Sequence, residues 1–231
     1  MHLIKLPYAF FPQSKGCEQA PDRITAALPP MSESGSTLAV QADGISGDGD
    51  AATMDQRIFH KAKGAFQNNA LTLFLGGDHG ITYATAKAFA QSFPNPGIII
   101  FDAHPDCSAA YRTSHEDLLI ALVKERIIRP ENILLVGVRS FTRDELLFLR
   151  EHRIKQYPMK EIAAEGIGEI CDAVMGAAKD FGALYLSVDM DAVDPAFAPG
   201  VAVPEPGGLT GRELLYFVQR LRLLKNLRAA C

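Results

Sequence analysis

The stretch Gly97-Ile98-Ile99-Ile100-Phe101-Asp102-Ala103-His104-Pro105-Asp106-Cys107-Ser108 decides how the chain is read. Its apolar, β-branched first half, bounded by Pro96-Gly97, predicts a buried strand. Strand side chains repeat every two residues, so Asp102, His104 and Asp106 would leave its end on one side of the chain. Carboxylates gathered at the end of a buried strand repel one another unless a cation neutralises them. A D-x-H-x-D pattern also arises by chance in a polar loop after a strand. The remaining sequence has to choose between metal site and plain loop.

Working outward, short apolar runs alternate with helical patterns. Residues 2–9, 71–75, 133–138, 154–158 and 183–189 read as strands, and 227–231 as a strand that is only beginning. Helices are expected at 52–68, from 81 to about 91, and at 114–127, 142–152, 160–179 and 210–224, with a short one around Pro21, which suits a first helical position. Thr142 with Glu145 and Thr210 with Glu213 have capping-box spacing, and Ser114 with Asp117 a weaker version. Residues 28–50, rich in Pro, Ser, Gly and Asp, read as a surface connection with one weak strand candidate at 37–40. This alternation predicts βαβ units: an α/β fold with a mainly parallel sheet covered on both faces. No composition break or repeat divides residues 1–231, which read as one domain.

The composition is that of an ordinary globular protein, with 48% hydrophobic and 22% charged residues. A net charge of −4 argues against nucleic acid or an anionic membrane as the main partner. The four cysteines, at 17, 107, 171 and 231, form no C-x-x-C pair and suggest neither a zinc ribbon nor a disulfide scaffold. The first residues lack a signal-peptide pattern, and no apolar run approaches the roughly 20 residues of a membrane span. A reduced cytoplasmic compartment is the expectation.

Three strand ends concentrate ligating groups: His79 after the 71–75 strand, Asp102, His104 and Asp106 after the next, and Asp189 and Asp191 after the 183–188 strand. Ligands of open α/β sheets bind beyond such carboxyl ends. Four carboxylates and two imidazoles, with no thiolate, suit a borderline-hard divalent ion such as Mn²⁺. Two ions about 3.5–4 Å apart, bridged by carboxylates, would use all six groups and balance the charge.

Gly-Gly-Asp-His at 76–79, Asp-Ala-His-Pro-Asp at 102–106 and Ser-Val-Asp-Met-Asp-Ala-Val-Asp-Pro at 187–195 resemble, in order and spacing, the three signatures of the arginase/agmatinase (ureohydrolase) family. Residues 16–24 are similar to the family's N-terminal segment and 136–140 to its middle strand. The resemblance implies a three-layer αβα arginase-like fold and two Mn²⁺ ions per chain. Asp102 and Asp189 would bridge them, His79 and Asp106 would complete one ion, and His104 and Asp191 the other. It implies that a hydroxide bridging the ions attacks a guanidinium carbon, oriented by Asp106, and that urea leaves. His115, after Ser114, matches the proton shuttle of agmatinase-like members; an exposed histidine in a first helical turn is the competing reading. Glu161 resembles an acidic residue near the substrate's amino group, but a first-turn glutamate is equally expected. Asp78 and Asp194 are expected to shape turns or to orient a ligating histidine. His2, His60 and His152 lack ligand spacing and read as ordinary surface or core residues.

Pro-Glu-Pro-Gly-Gly at 204–208 is more similar to agmatinases than to arginases, and the family places guanidine-binding backbone there. The implied partner is therefore a small guanidino-type substrate, with a formimino compound or guanidine as the alternative and a homo-oligomer, trimer or hexamer, as the assembly. Two departures stand out. Gly80 occupies a position where the family usually has Ser. The family's substrate-binding glutamate, in a further C-terminal strand, has no match up to Cys231. From this, the last strand is expected to be cut short and its sheet position unfilled, and a non-catalytic metal-binding subunit becomes a third reading.

Overall fold

The computed structural model describes residues 2–28, 42–68, 71–108 and 117–231. In chain order, the first half comprises β1 (His2–Leu6), α1 (Ala20–Ala27), β2 (Ala42–Gly44), α2 (Ala51–Asn68), β3 (Thr72–Gly76), α3 (Ile81–Ala90), β4 (Pro96–Phe101) and α4 (Leu118–Lys124). The second half comprises β5 (Ile133–Val136), α5 (Arg143–Glu151), β6 (Lys155–Tyr157), α6 (Met159–Glu165), α7 (Ile167–Ala178), β7 (Ala183–Val188), α8 (Gly211–Leu221) and β8 (Leu227–Ala230). The strands form a single sheet in the order β2-β1-β3-β8-β7-β4-β5-β6, with every pairing parallel.

Why the sheet is covered on both sides follows from its central strands. Ile98 and Ile100 of β4, Ile133 and Leu135 of β5, and Ala183 and Tyr185 of β7 enter one core with Ile58, Phe89, Leu122 and Leu149 from α2 to α5. The alternating residues Ile99, Phe101, Leu134, Val136, Leu184 and Leu186 enter a second core with Ile162, Val174 and Phe217 from α6, α7 and α8. A strand apolar at every position must bury both faces, and two helical layers satisfy it. Each Ile, Leu, Val or Phe among them is worth about 1.5–3 kcal/mol when fully buried. Phe101 packs edge-on against Phe217, with ring centroids 5.1 Å apart, immediately beneath the first site residue. The result is the three-layer αβα arrangement expected from the alternation.

Local chemistry explains where elements stop. Both Thr-Glu capping boxes form, at the starts of α5 and α8. The helix expected over 160–179 is two helices, because Gly166, at φ +90°, turns the chain between α6 and α7 in a conformation that favours glycine. The helix expected at 114–127 runs only from Leu118 to Lys124. Ser114 lies outside the described residues, and the N-cap is Asp117, whose carboxylate accepts from Ser108 Oγ at 3.2 Å instead of capping the helix. The helix stops early because Arg126 adopts a left-handed φ of +55°, letting Ile127 N–H close on Leu122 O at 2.9 Å. The weak strand candidate at 37–40 lies outside the described residues; β2, which follows it, pairs with β1 at the sheet edge.

One expectation is corrected at the sheet centre. The position between β3 and β7 is filled, not vacant. β8 pairs there with Thr72 and Leu73 on one side and with Leu184 to Leu186 on the other, across a bulge at Leu184/Tyr185. Ala229 is fully buried, and Cys231 exchanges backbone hydrogen bonds of 2.9 Å with Leu186 and Val188. No described helix is long and apolar enough to cross a membrane.

Candidate metal centre

Since the sheet is parallel, the carboxyl ends of β3, β4 and β7 point the same way, and the residues just beyond them meet. Backbone bonds set the register: Asp102 N–H donates to Val136 O at 3.1 Å and Asp189 N–H to Phe101 O at 2.9 Å. Two groups result. His79 Nδ1 lies 3.0 Å from Asp102 Oδ2, 2.9 Å from Asp106 Oδ2 and 3.5 Å from Asp189 Oδ2. His104 Nδ1 lies 3.1 Å from Asp191 Oδ2 and 3.5 Å from Asp102 Oδ1. Asp102 thus belongs to both groups, one oxygen to each.

The His79 group fits a cation. Its three converging atoms, His79 Nδ1, Asp102 Oδ2 and Asp106 Oδ2, are buried, and none is in hydrogen-bond alignment despite the short distances. Nε2 lies 3.1 Å from Ser187 Oγ. A neutral ring donating there aims the Nδ1 lone pair at the carboxylate oxygens, an arrangement that a divalent ion relieves. Asp106 is held at φ +51°, a left-handed conformation costly outside glycine, asparagine and aspartate and concentrated at functional sites. Asp189 contributes less directly: its Oδ2 approaches His79, while its Oδ1 accepts from Asp191 N–H at 3.0 Å.

Protonation reflects the crowding. Burial pushes the carboxyls of Asp106 and Asp191 above the usual range, and the neighbouring Asp102 charge adds to it. Asp189 is pushed up to about 7 by burial and then by Asp102. Burial lowers the basicity of His104, but Asp102 and Asp191 overcome it and hold the ring up at about 11. His79 is likewise raised by Asp102 and Asp106 against its burial.

The surrounding turns are pinned by groups with other expected or unexpected roles. Asp78 does not orient His79, as one reading of the sequence had it. Its carboxylate accepts from the N–H groups of Phe10, Phe11 and Gly80 at 2.7, 3.2 and 3.1 Å, tying the N-terminal loop to the turn carrying His79; Ser187 faces that ring instead. Asp194 shapes a turn as expected, accepting from Ala196, Gly207 and Gly208 N–H. At Gly80, where the family usually has Ser, a Cβ would sit 2.7 Å from the Phe10 ring.

Two residues escaped the sequence reading. Arg139 spends its guanidinium on five carbonyl oxygens, those of Gly137, Asp191, Ala192, Glu205 and Pro206, at 2.6 to 3.3 Å. Glu205 Oε1 lies 3.6 Å from His104 Nε2. The available signal was that each is a single charged residue inside a segment already singled out, 136–140 and 204–208. Glu161 sits in the first turn of α6, as a dipole-favoured glutamate would. His152 stacks on Phe148 and His60 on Phe59, away from the ligands. His115 lies outside the described residues.

A cleft of about 500 Å³ is lined by His79, Asp189 and Asp191 together with Lys15, Cys17 and Arg23. That is within the usual size of small-molecule sites.

Comparison with known proteins places the sequence and the fold. The sequence matches the Arginase family over residues 1–230. It is 29% identical to an arginase of Staphylococcus aureus (strain MRSA252) over 197 residues, 78% of this chain and 65% of that one. With the proclavaminate amidinohydrolase of Streptomyces clavuligerus it shares 33% identity over 167 residues, 70% of this chain and 53% of that protein. The chain therefore spans less than two thirds of these curated relatives. Among solved structures, the formimidoylglutamase of Bacillus subtilis subsp. subtilis str. 168 superposes with a TM-score of 0.88 at 26% identity, over 99% of this chain and 77% of that one. The agmatine ureohydrolase of Thermoplasma volcanium, at TM-score 0.81 and 23% identity over 99% of this chain and 79% of that one, shares the fold. With a match running from the first strand to the last, over a sheet whose strand ends carry groups that could hold a metal ion, this chain belongs to the arginase family.

Proposed function

We propose that this chain hydrolyses a guanidino carbon–nitrogen bond, releasing urea, at two Mn²⁺ ions held by His79, Asp102, His104, Asp106, Asp189 and Asp191. The observation that carries the reading is Asp102, whose two oxygens face two separate imidazole-carboxylate groups. The ions, when bound, supply a water of lowered pKa and offset the carboxylate charge. The chain's own residues do the rest. Asp106, buried beside His79, accepts a hydrogen bond from the attacking oxygen and fixes its direction. The carboxylate-lined end of the cleft draws in a cationic guanidino group. His115, as the family resemblance implies, returns a proton to the departing amine.

Agmatine is our first substrate, on the strength of the Pro-Glu-Pro-Gly-Gly segment at 204–208. A second reading, an acid-ended formimino substrate, draws support from Lys15 and Arg23 on the cleft, which suit a carboxylate. One assay separates them: Mn²⁺-loaded protein offered agmatine, arginine, guanidinobutyrate and formiminoglutamate. Urea from agmatine supports the first reading and turnover of formiminoglutamate the second. Two ions bound with no product from any substrate would leave a metal-binding subunit without turnover. The trimer or hexamer that the family resemblance implies is read directly by light scattering.

A further inference from the structure

The two imidazoles differ in what stands behind them. His79 has the Ser187 hydroxyl at Nε2, 3.1 Å away, fixed within the sheet on β7. His104 has Glu205 at the corresponding nitrogen, at 3.6 Å, just beyond hydrogen-bond length. Glu205 comes from a loop with no regular structure, yet that loop is held firmly. Arg139 Nη2 donates to Glu205 O at 2.6 Å and Nε to Pro206 O at 3.1 Å, while Asp194 grips the N–H groups of Gly207 and Gly208 at 2.7 and 3.3 Å. Two charged side chains thus fix a short loop, Pro204 to Gly208, whose one ionisable side chain is Glu205. Among the described residues, its carboxylate has no hydrogen-bond or ion-pair contact apart from the approach to His104.

We propose that Glu205 is a positioning residue. It accepts a hydrogen bond from His104 Nε2–H and thereby aims Nδ1 at the ion shared with Asp102 and Asp191. This rests on the two-ion reading above. A carboxylate behind a ligating imidazole fixes its tautomer and raises its basicity. His104 needs that help more than His79, because its side chain is 19% exposed against 5% and lacks a partner within the sheet. The Arg139 and Asp194 contacts then have a common purpose: they hold the loop at the height where Glu205 meets the ring.

The test is a Mn²⁺ titration by calorimetry of the wild-type chain, Glu205→Gln and Glu205→Asp, with electron paramagnetic resonance reporting the coupled ion pair. Loss of the carboxylate is expected to weaken one ion by roughly 10- to 100-fold and leave the other unchanged. The coupled signal should appear only at correspondingly higher Mn²⁺, and the aspartate variant should recover part of the loss. Unfolding of the metal-free proteins should stay alike, since the Glu205 side chain is 29% exposed. Two ions bound by Glu205→Gln as tightly as by wild type would overturn the proposal, as would a rise in KM with metal binding intact, which would put Glu205 on the substrate. Wild-type chain that takes up fewer than two ions would instead remove the two-ion reading, and this proposal with it.

Discussion

The two halves of the candidate metal centre are built on opposite terms. The His79 group is sealed except where His79 meets the cleft: its imidazole and both nearest carboxylates expose 5% or less of their side chains, and the ring is backed by a hydroxyl inside the sheet. The His104 group is open, with its ring at 19% exposure and its surroundings assembled from loops after β5 and β7. In the sealed half the fold itself positions the ligands, and removing water makes an unneutralised site costly. In the open half position comes from Arg139, Asp194 and Glu205, and solvent has access. The sealed half should therefore bind its ion first and more tightly, and the open half should be the one that loops and pH can tune.

Asp102 is where the comparison can be broken altogether, because it serves both halves. Asp102→Ala should reduce bound Mn²⁺ to less than one ion per chain by elemental analysis and lower turnover by more than about 100-fold. Arg139 supports only the open half. Arg139→Met would leave up to five carbonyl oxygens short of a donor, which should cost roughly 2–3 kcal/mol and lower Tm by about 5–10 °C, while the first ion still binds.

Protons sharpen the contrast more gently. In the metal-free chain Asp189 titrates near 7, and Asp106 and Asp191 are also raised, so an entering ion must displace protons. Calorimetry in two buffers of different ionisation heat should show at least one proton released per chain. Metal affinity should fall as pH drops from about 11, where His104 takes up the proton an ion must displace, and fall further below about 7, where Asp189 does the same. Gly80 acts only on the sealed half. Gly80→Ser places a Cβ against Phe10 and should cost about 1–2 kcal/mol, a loss that Phe10→Leu should partly restore in a double-mutant cycle.

What could be read from the sequence was whatever rested on local periodicity or on residues adjacent in the chain. The strand before Asp102 announced itself because every position is apolar, and such a strand needs two covering layers. All six ligand candidates were legible because each follows a strand end by at most a few residues. The break at Gly166 was hidden because the apolar pattern continues on both sides, and the left-handed turn at Arg126 because nothing in an arginine advertises it. The placement of β8 between β3 and β7 depends on partners about 40 to 160 residues away, and so do the contacts of Arg139 and the approach of Glu205 to His104. Those are tertiary facts with no local signature. Asp78 shows the same limit: its place before His79 suggested an orienting role, and only the fold reveals Phe10 and Phe11 as its partners.

The account stands or falls on two ions held by unequal groups. The direct measurement is the number of Mn²⁺ ions per chain, by elemental analysis after equilibrium dialysis, for the wild-type protein and His104→Ala. Two ions are predicted in the wild type and about one in the variant, with activity lost and the sealed half still filled. Two ions and full turnover in His104→Ala would contradict the ligand assignment, and with it the division of the centre into a sealed and an open half.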